Sequence, residues 1–156
     1  MTTVVGLERL LHHQLELVRG RTIALLCHQP SVDRQLRHAA DLIHEAGSEV
    51  ACLLGPEHGV RGEAQDMEGV CSGRDPRLRV PVWSLYGADE ASLRPRREWL
   101  QGLDAVVIDL QDVGSRYYTY VWTAALMLKA AAAQGIRTVV LDRPNPLGGE
   151  AVEGAP

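Results

Sequence analysis

Short apolar runs alternate along the chain with stretches of helical spacing. Leu7, Leu10, Leu11, Leu15 and Val18 recur at the period of an amphipathic helix, and Gly20 is a natural stop. Residues 22–27 form a continuous apolar run, the pattern of a strand covered on both faces. Leu36, Ala39, Ala40, Ile43 and Ala46 predict a second helix ending before Gly47, and residues 50–54 predict a second buried strand. Residues 80–86 read as a short edge strand, because Pro81 argues against a central one. A short helix is expected over 94–100, and 103–110 is a strong strand. Ser115 is placed to cap a helix running through Tyr118, Val121, Trp122, Ala125, Leu126 and Leu128 to the alanines before Gly135. The last strand is expected over 137–142, after which Pro144, Pro146 and Gly148-Gly149 keep the chain irregular. Residues 55–81 have no convincing period, and a loop of that length is usually functional or disordered. The alternation of strands and helices predicts an α/β fold with a parallel sheet.

At 156 residues the chain suits a single domain, 1–156, with a sizeable core. Its net charge of −4 and lack of any Lys/Arg run give no reason to expect nucleic acid. Lys129 is the only lysine, and phenylalanine is absent, so Leu, Val and Ala must build most of the core. Cys27, Cys52 and Cys71 are odd in number and lack C-x-x-C spacing, which argues for free thiols in a reducing compartment. The N-terminus lacks the pattern of a signal peptide, and no apolar run is long enough to span a membrane. A cytoplasmic protein with no membrane partner is the expectation.

In an open parallel sheet, ligands bind beyond the C-terminal ends of the strands. Three such ends lead into polar, turn-forming segments, over 55–62, 109–116 and 142–153, and His28-Gln29 follows the first strand. In the first segment Glu57 is the leading candidate for general acid or base. His58 beside it can orient Glu57, bind substrate or satisfy loop backbone, and Arg61 can bind a carboxylate or phosphate in a fork. A Gly-Pro turn with solvated charges accounts for the same residues equally well. In the second segment Asp112 fits helix capping as well as substrate binding, with Arg116 as its ion-pair partner. Asp109, directly after an apolar run, is harder to explain as decoration. Tyr117, Tyr118 and Tyr120 suit either core packing or stacking on a sugar. In the third segment Arg143 and Asn145 offer donors in a stiff proline-bounded loop, which also suits a plain connector. No phosphate loop, dinucleotide fingerprint, zinc-protease helix or nucleophile elbow is present, and no cofactor is implied. A metal site built from His28, His58 and Asp109 remains open on spacing alone.

Four motifs occur in order: Leu54-Gly-Pro-Glu-His-Gly-Val-Arg-Gly62, Ser84-Leu-Tyr-Gly87, Asp109-Leu-Gln-Asp-Val-Gly-Ser-Arg-Tyr-Tyr-Thr-Tyr120 and Leu141-Asp-Arg-Pro-Asn-Pro-Leu-Gly-Gly149. With Val152-Glu-Gly154 they resemble the NamZ-type exo-β-N-acetylmuramidases, glycoside hydrolases that remove N-acetylmuramic acid from the non-reducing end of peptidoglycan fragments. The resemblance implies a Rossmann-like three-layer sandwich with a mostly parallel sheet, followed in the family by a smaller C-terminal α/β domain that this chain lacks, and an active site between the two. It implies Glu57 as catalytic residue and Glu153 as the second carboxylate. It makes His58, Arg61, Asp109, Gln111, Asp112, Arg116, Tyr118, Arg143 and Asn145 contacts to an N-acetylmuramic acid-containing saccharide. Cys27-His-Gln-Pro30 departs from the Thr-Asn-type turn that the family commonly has after the first strand. A chain without the second domain is expected either to need a separate chain that supplies it, or to bind sugar or a partner without turnover. A metal-dependent hydrolase is the third reading.

Overall fold

The computed structural model describes residues 3–61 and 73–154. One six-stranded sheet organises them, in the order β3-β4-β2-β1-β5-β6. The strands are β1 (Thr22–Cys27), β2 (Glu49–Gly55), β3 (Gly73–Arg74), β4 (Pro81–Ser84), β5 (Ala105–Asp109) and β6 (Arg137–Val140). All pair in parallel except β3, which runs antiparallel to β4. The helices are α1 (Gly6–His13), α2 (Ala39–Glu45) and α3 (Tyr120–Ala133).

The continuous apolar runs of the central strands serve two cores, one on each face of the sheet. Ile23, Leu25, Leu53 and Val107 face Leu7 and Leu10 of α1 and Ala40 and Ile43 of α2. Ala24, Leu26, Leu54, Val106 and Ile108 face Leu100 and, from α3, Met127 and Ala131. The pairing of β1 with β2 slips by one residue between Ile23 and Ala24, which keeps both strands in phase with the two cores. These helix, sheet and helix layers form the α/β fold that the alternating pattern predicts.

Local sequence effects move several boundaries. The first helix ends at His13 and the chain tightens into a 3-10 turn over Leu15–Leu17, which brings Leu15, Leu17 and Val18 onto the core. Leu36 is not on the second helix: it is 80% exposed with φ 61°, in a turn whose amides at Gln35 and Arg37 bond the Asp33 carboxylate. His38 caps α2 instead, its Nδ1 accepting from the amide of Ala40. β4 is not the sheet edge, because β3 pairs outside it; Pro81 is tolerated as the first residue of its strand. Residues 94–100 form only a 3-10 turn, Arg97–Leu100. Ser115 does not cap α3, which starts five residues later at Tyr120; its carbonyl closes a turn to the amide of Tyr118. Much of the long segment over 55–81 lies outside the described residues.

Among the described residues no helix is long and apolar enough to cross a membrane. α3 is nevertheless apolar on both sides: Tyr120, Thr123, Met127 and Ala131 are buried, while Val121, Trp122 and Leu128 face outward.

α1 begins against the end of β6. The Gly6 amide donates to the Asp142 carbonyl at 2.7 Å, and a Cβ on Gly6 would lie 2.4 Å from the Asp142 nitrogen. Backbone cannot yield as a flexible side chain does. Gly6→Ala is therefore expected to destabilise the fold by about 2 kcal/mol, within the range for overpacking. Urea denaturation should show a lower midpoint with an unchanged slope.

Candidate functional site

The loops after β1, β2, β5 and β6 meet at one edge of the sheet, and ion pairs fix how they meet. Asp109, the last residue of β5, is fully buried. Arg143, two residues beyond Leu141, clasps it in a fork with contacts of 2.5 and 2.8 Å and donates through both terminal nitrogens to the Val32 carbonyl at 3.2 Å. Burial pushes the Asp109 carboxyl up, and Arg143 opposes that; the fork geometry is that of the ionised pair. Ser31 Oγ donates to the Asp109 carbonyl at 2.5 Å, which ties the loop after β1 to the same point.

The Glu57 turn is built from backbone constraints. Gly55 passes so close to Gly59 and Val60 that a Cβ there would meet their backbone at 3.1 Å. The Gly59 amide closes the turn onto the Pro56 carbonyl at 3.0 Å, with His58 at φ 72° and Gly59 at φ 79°. A left-handed histidine costs roughly 1 kcal/mol or more, and surrounding contacts hold it there. The Leu85 amide grips the Gly55 carbonyl at 2.8 Å, the Tyr120 hydroxyl donates to the Glu57 carbonyl at 2.9 Å, and Val60 is buried in the core. Arg61 completes the anchorage by pairing with Asp75 at 2.6 Å and Asp41 at 3.0 Å. Arg77 joins the same cluster through Asp41. Burial works against charge on Asp41 and Asp75, yet Arg61 holds both carboxyls below the usual range, with Arg77 adding to the effect at Asp41.

Glu57 itself is half-buried, and its carboxylate has no hydrogen bond or ion pair among the described residues. Beside it lies a cavity of about 240 Å³ lined by His28, Gln29, Pro30, His58, Gly59, Tyr118 and Tyr120. His28 is 2% exposed and stands edge-on to Tyr120 at 5.1 Å between ring centroids. Its Nε2 accepts from the Gln111 amide at 3.3 Å, so Nδ1 carries the proton and donates to Ser31 Oγ at 2.9 Å. Burial, with Arg143 nearby, lowers His28 to about 4, so the ring is neutral near pH 7. Tyr118 leans on Tyr120 with centroids 4.5 Å apart, and burial raises the Tyr120 phenol.

The structure sorts the expected site residues into two groups. His58 and Tyr118 line the cavity, and Glu57 directly precedes His58 in the turn beside it. Asp109, Arg143 and Arg61 do not offer free groups to a ligand: their charges are spent on one another, on Asp41 and on Asp75, because a buried charge must be paired. Gln111 donates to the carbonyls of Asp112 and Pro144 and thereby joins two loops. Asn145 packs on Gly114, whose Cβ would lie 2.6 Å from its side chain, and accepts from the Leu147 amide. Asp112 accepts from the Gly114 amide and caps no helix. Arg116 is exposed and has no ion pair among the described residues, so the expected pair with Asp112 is not formed. Glu153 lies in the exposed tail with no hydrogen bond or ion pair among the described residues. Tyr117 is 95% exposed, whereas Tyr120 is buried.

From the sequence His28 is a strand-end residue and a possible metal ligand, and Tyr120 suits core packing or sugar stacking; the structure makes both part of the cavity wall. The strand-end rule that marked the other loops applies equally to His28, which directly follows β1. Among the described residues no group of three or more His, Cys, Asp or Glu is placed to hold a metal. His28 and Asp109, proposed as ligands with His58, are already bonded to protein. Burial raises the thiols of Cys27 and Cys52, the latter to about 11, which keeps both protonated and inert.

A mostly parallel sheet with helices on both faces, and a polar cavity beyond its strand ends, defines a Rossmann-like α/β domain. Residues 23–156 match the family model described as exo-beta-N-acetylmuramidase NamZ, N-terminal, and the chain belongs to that family. It is 41% identical over 150 residues to peptidoglycan beta-N-acetylmuramidase NamZ of Bacillus subtilis (strain 168), covering 96% of this chain and 36% of the relative. The chain thus spans about a third of that relative's length. Two crystal structures of DUF1343 family proteins from Bacteroides fragilis NCTC 9343 share the fold. One matches with a TM-score of 0.85 at 36% identity, over 96% of this chain and 37% of its own. The other gives 0.72 at 27% identity, over 94% and 36%.

Two measurements test this geometry. The folded His28 pKa of about 4 lies below the unfolded value of about 6.5, so the unfolded chain binds the proton first as pH falls. Stability contributed by the neutral ring is complete above pH 6.5 and is lost between there and about pH 4. From pH 7 to pH 5 this amounts to about 2 kcal/mol by linkage, and His28→Asn should flatten that part of the denaturation profile. Tyr120→Phe keeps the ring but releases the Glu57 carbonyl. Amide exchange at Glu57, His58 and Gly59 should accelerate, with a global loss of only about 1 kcal/mol. Unchanged exchange there would show that the hydroxyl does not hold the turn.

Proposed function

We propose that this chain is the Glu57-bearing part of an exo-β-N-acetylmuramidase. The enzyme hydrolyses the β-glycosidic bond between a terminal N-acetylmuramic acid and the rest of a peptidoglycan fragment. The observation that carries the reading is the Glu57 turn. It lies at a strand end, anchored from β4, Tyr120 and Arg61, and its carboxylate has no protein partner among the described residues. A held backbone with an unengaged carboxylate is what proton transfer to a leaving oxygen requires. In this mechanism Glu57 protonates the glycosidic oxygen as the bond to the anomeric carbon breaks. The neighbouring His28 and the tyrosines give the sugar a mostly neutral wall.

The anomeric carbon must then be met from its other side. A second carboxylate about 5–5.5 Å from Glu57 would act as nucleophile, and one about 6.5–9.5 Å away would activate water. The acetamido group of the sugar is a third route. Glu153 and Asp112 are the carboxylates proposed for this side, and both are exposed. Because the chain spans 36% of the Bacillus subtilis relative, the opposite wall of the cleft is assigned to the remaining part of the family, on the same or a separate polypeptide.

Among the described residues no second carboxylate lines the cavity, which favours one other reading, sugar binding without turnover. A chromogenic N-acetylmuramic acid glycoside separates the two. Turnover by the chain that falls at least about 100-fold in Glu57→Gln supports catalysis by Glu57. Turnover that persists unchanged in Glu57→Gln removes Glu57 from the mechanism, and binding with no turnover supports the binding domain.

A further inference from the structure

Two of the three tryptophans form a structure that the Glu57 site does not use. Trp83, on β4, and Trp99 stack with centroids 4.9 Å apart and planes 4° from parallel. Each packs one side against the core shared with α3. Their remaining surface lines a cavity of about 530 Å³ with Ser84, Tyr86, Arg94 and Arg96. That volume lies within the usual range of about 300–1,000 Å³ for small-molecule sites.

Two arginines, Arg94 and Arg96, and one carboxylate, Asp89, line this cavity. Arg94 is paired with Glu90 at 3.0 Å, but Arg96 has no carboxylate partner among the described residues. Its guanidinium lies over Trp99, 5.5 Å from the ring centroid. An arginine stacked on an indole is already ordered and leaves its N–H donors free, the arrangement that takes a carboxylate in a fork. The stacked indoles beside it present the surface left by their mutual stacking and by the core to the cavity, an apolar rim for the C–H groups of a sugar.

The wall opposite is shaped as well. Ser84 Oγ bonds both the carbonyl and the amide of Tyr86, and Asp89 accepts from the Ser92 amide at 2.9 Å. Gly87 approaches Ser92 so closely that a Cβ would lie 2.9 Å from it. Ser84, which lines this cavity, is in register with Gly55, two residues before Glu57, so one wall of the cavity stands on the strand next to the candidate catalytic turn.

We propose that the Trp83–Trp99–Arg96 cavity is a second binding region, specific for a carboxylate-bearing saccharide. It takes the part of the fragment that lies beyond the bond at Glu57, with the sugar on the indoles and the carboxylate on Arg96. The assignment of the occupant rests on the muramidase reading above.

An NMR titration of the ¹⁵N-labelled chain tests it, with three probes: N-acetylmuramic acid, a muramic-acid-containing tetrasaccharide carrying stem peptides, and neutral chitotetraose. The tetrasaccharide should shift the indole N–H signals of Trp83 and Trp99 as well as residues 57–59 and leave exposed Trp122 unmoved, and the monosaccharide, which carries the same carboxylate, should shift both places more weakly. Arg96→Gln, a surface change, should weaken the tetrasaccharide about tenfold, the scale of one charge-assisted contact, and leave neutral chitotetraose unaffected. An unchanged tetrasaccharide affinity in Arg96→Gln overturns the proposal. So do shifts confined to residues 57–59, which leave the muramidase reading intact. Shifts at the two indoles without any at 57–59 keep the cavity and overturn that reading. Silence at both places overturns both.

Discussion

A buried carboxylate at the end of the central strand β5 sets the arrangement of everything above the sheet. Asp109 has no access to water, and an unpaired charge there would cost several kcal/mol. Arg143 must therefore come in from beyond β6, and its fork fixes the path of the chain after Leu141. The same guanidinium takes the Val32 carbonyl, and the Asp109 carbonyl takes the Ser31 hydroxyl, so the loop after β1 is pinned to the same pair. Ser31 in turn accepts from the His28 ring, which faces the cavity. One ion pair thus holds three strand-end loops. The Arg61 cluster does the same for the loop after β2 by tying it to Asp41 of α2 and to Asp75.

This division of labour explains what the sequence made legible in the site. Polar residues at strand ends were read as ligand-binding groups, since that edge of a parallel sheet is where ligands go. The location is the one at which the cavity occurs. The roles are harder, because a strand-end arginine that faces a ligand and one that faces a buried aspartate have the same local sequence. Arg143 and Arg61 turn inward because Asp109, Asp41 and Asp75, far away in the chain, need partners. No spacing rule encodes a contact 34 residues apart such as Arg143 to Asp109. Tyr120 was grouped with its neighbours for the same reason. That it is buried and bonded to the Glu57 carbonyl, while Tyr117 faces solvent, depends on where α3 begins.

The fold was more legible than the site because hydrophobic period is a local property and the core reads it directly. The central strands β1, β2 and β5 carry unbroken apolar runs and lie within a residue or two of the expected limits. The misplaced boundaries are those decided by side chains bonding to backbone. Asp33 holds the turn that pushes Leu36 outward, and His38 rather than an earlier residue starts α2. β3, only two residues long, has no period to detect and exists through its pairing with β4.

The same logic bears on what this part of the family contributes to catalysis. Buried, paired charges fix how the loops meet, and in the proposed reading that arrangement is what keeps one carboxylate in place for proton transfer. Glycoside hydrolysis also needs a group on the far side of the anomeric carbon and exclusion of bulk water, and neither comes from a turn anchored on one side only. The cavity beside Glu57, at about 240 Å³, is lined by loops from only three strand ends and the start of α3. α3 itself continues away from it with Val121, Trp122 and Leu128 facing outward. In the proposed reading this chain supplies a single wall with one unengaged carboxylate. For turnover it must work against a second wall, and the precision of that encounter is limited by the loops that Asp109 and Arg143 hold in place.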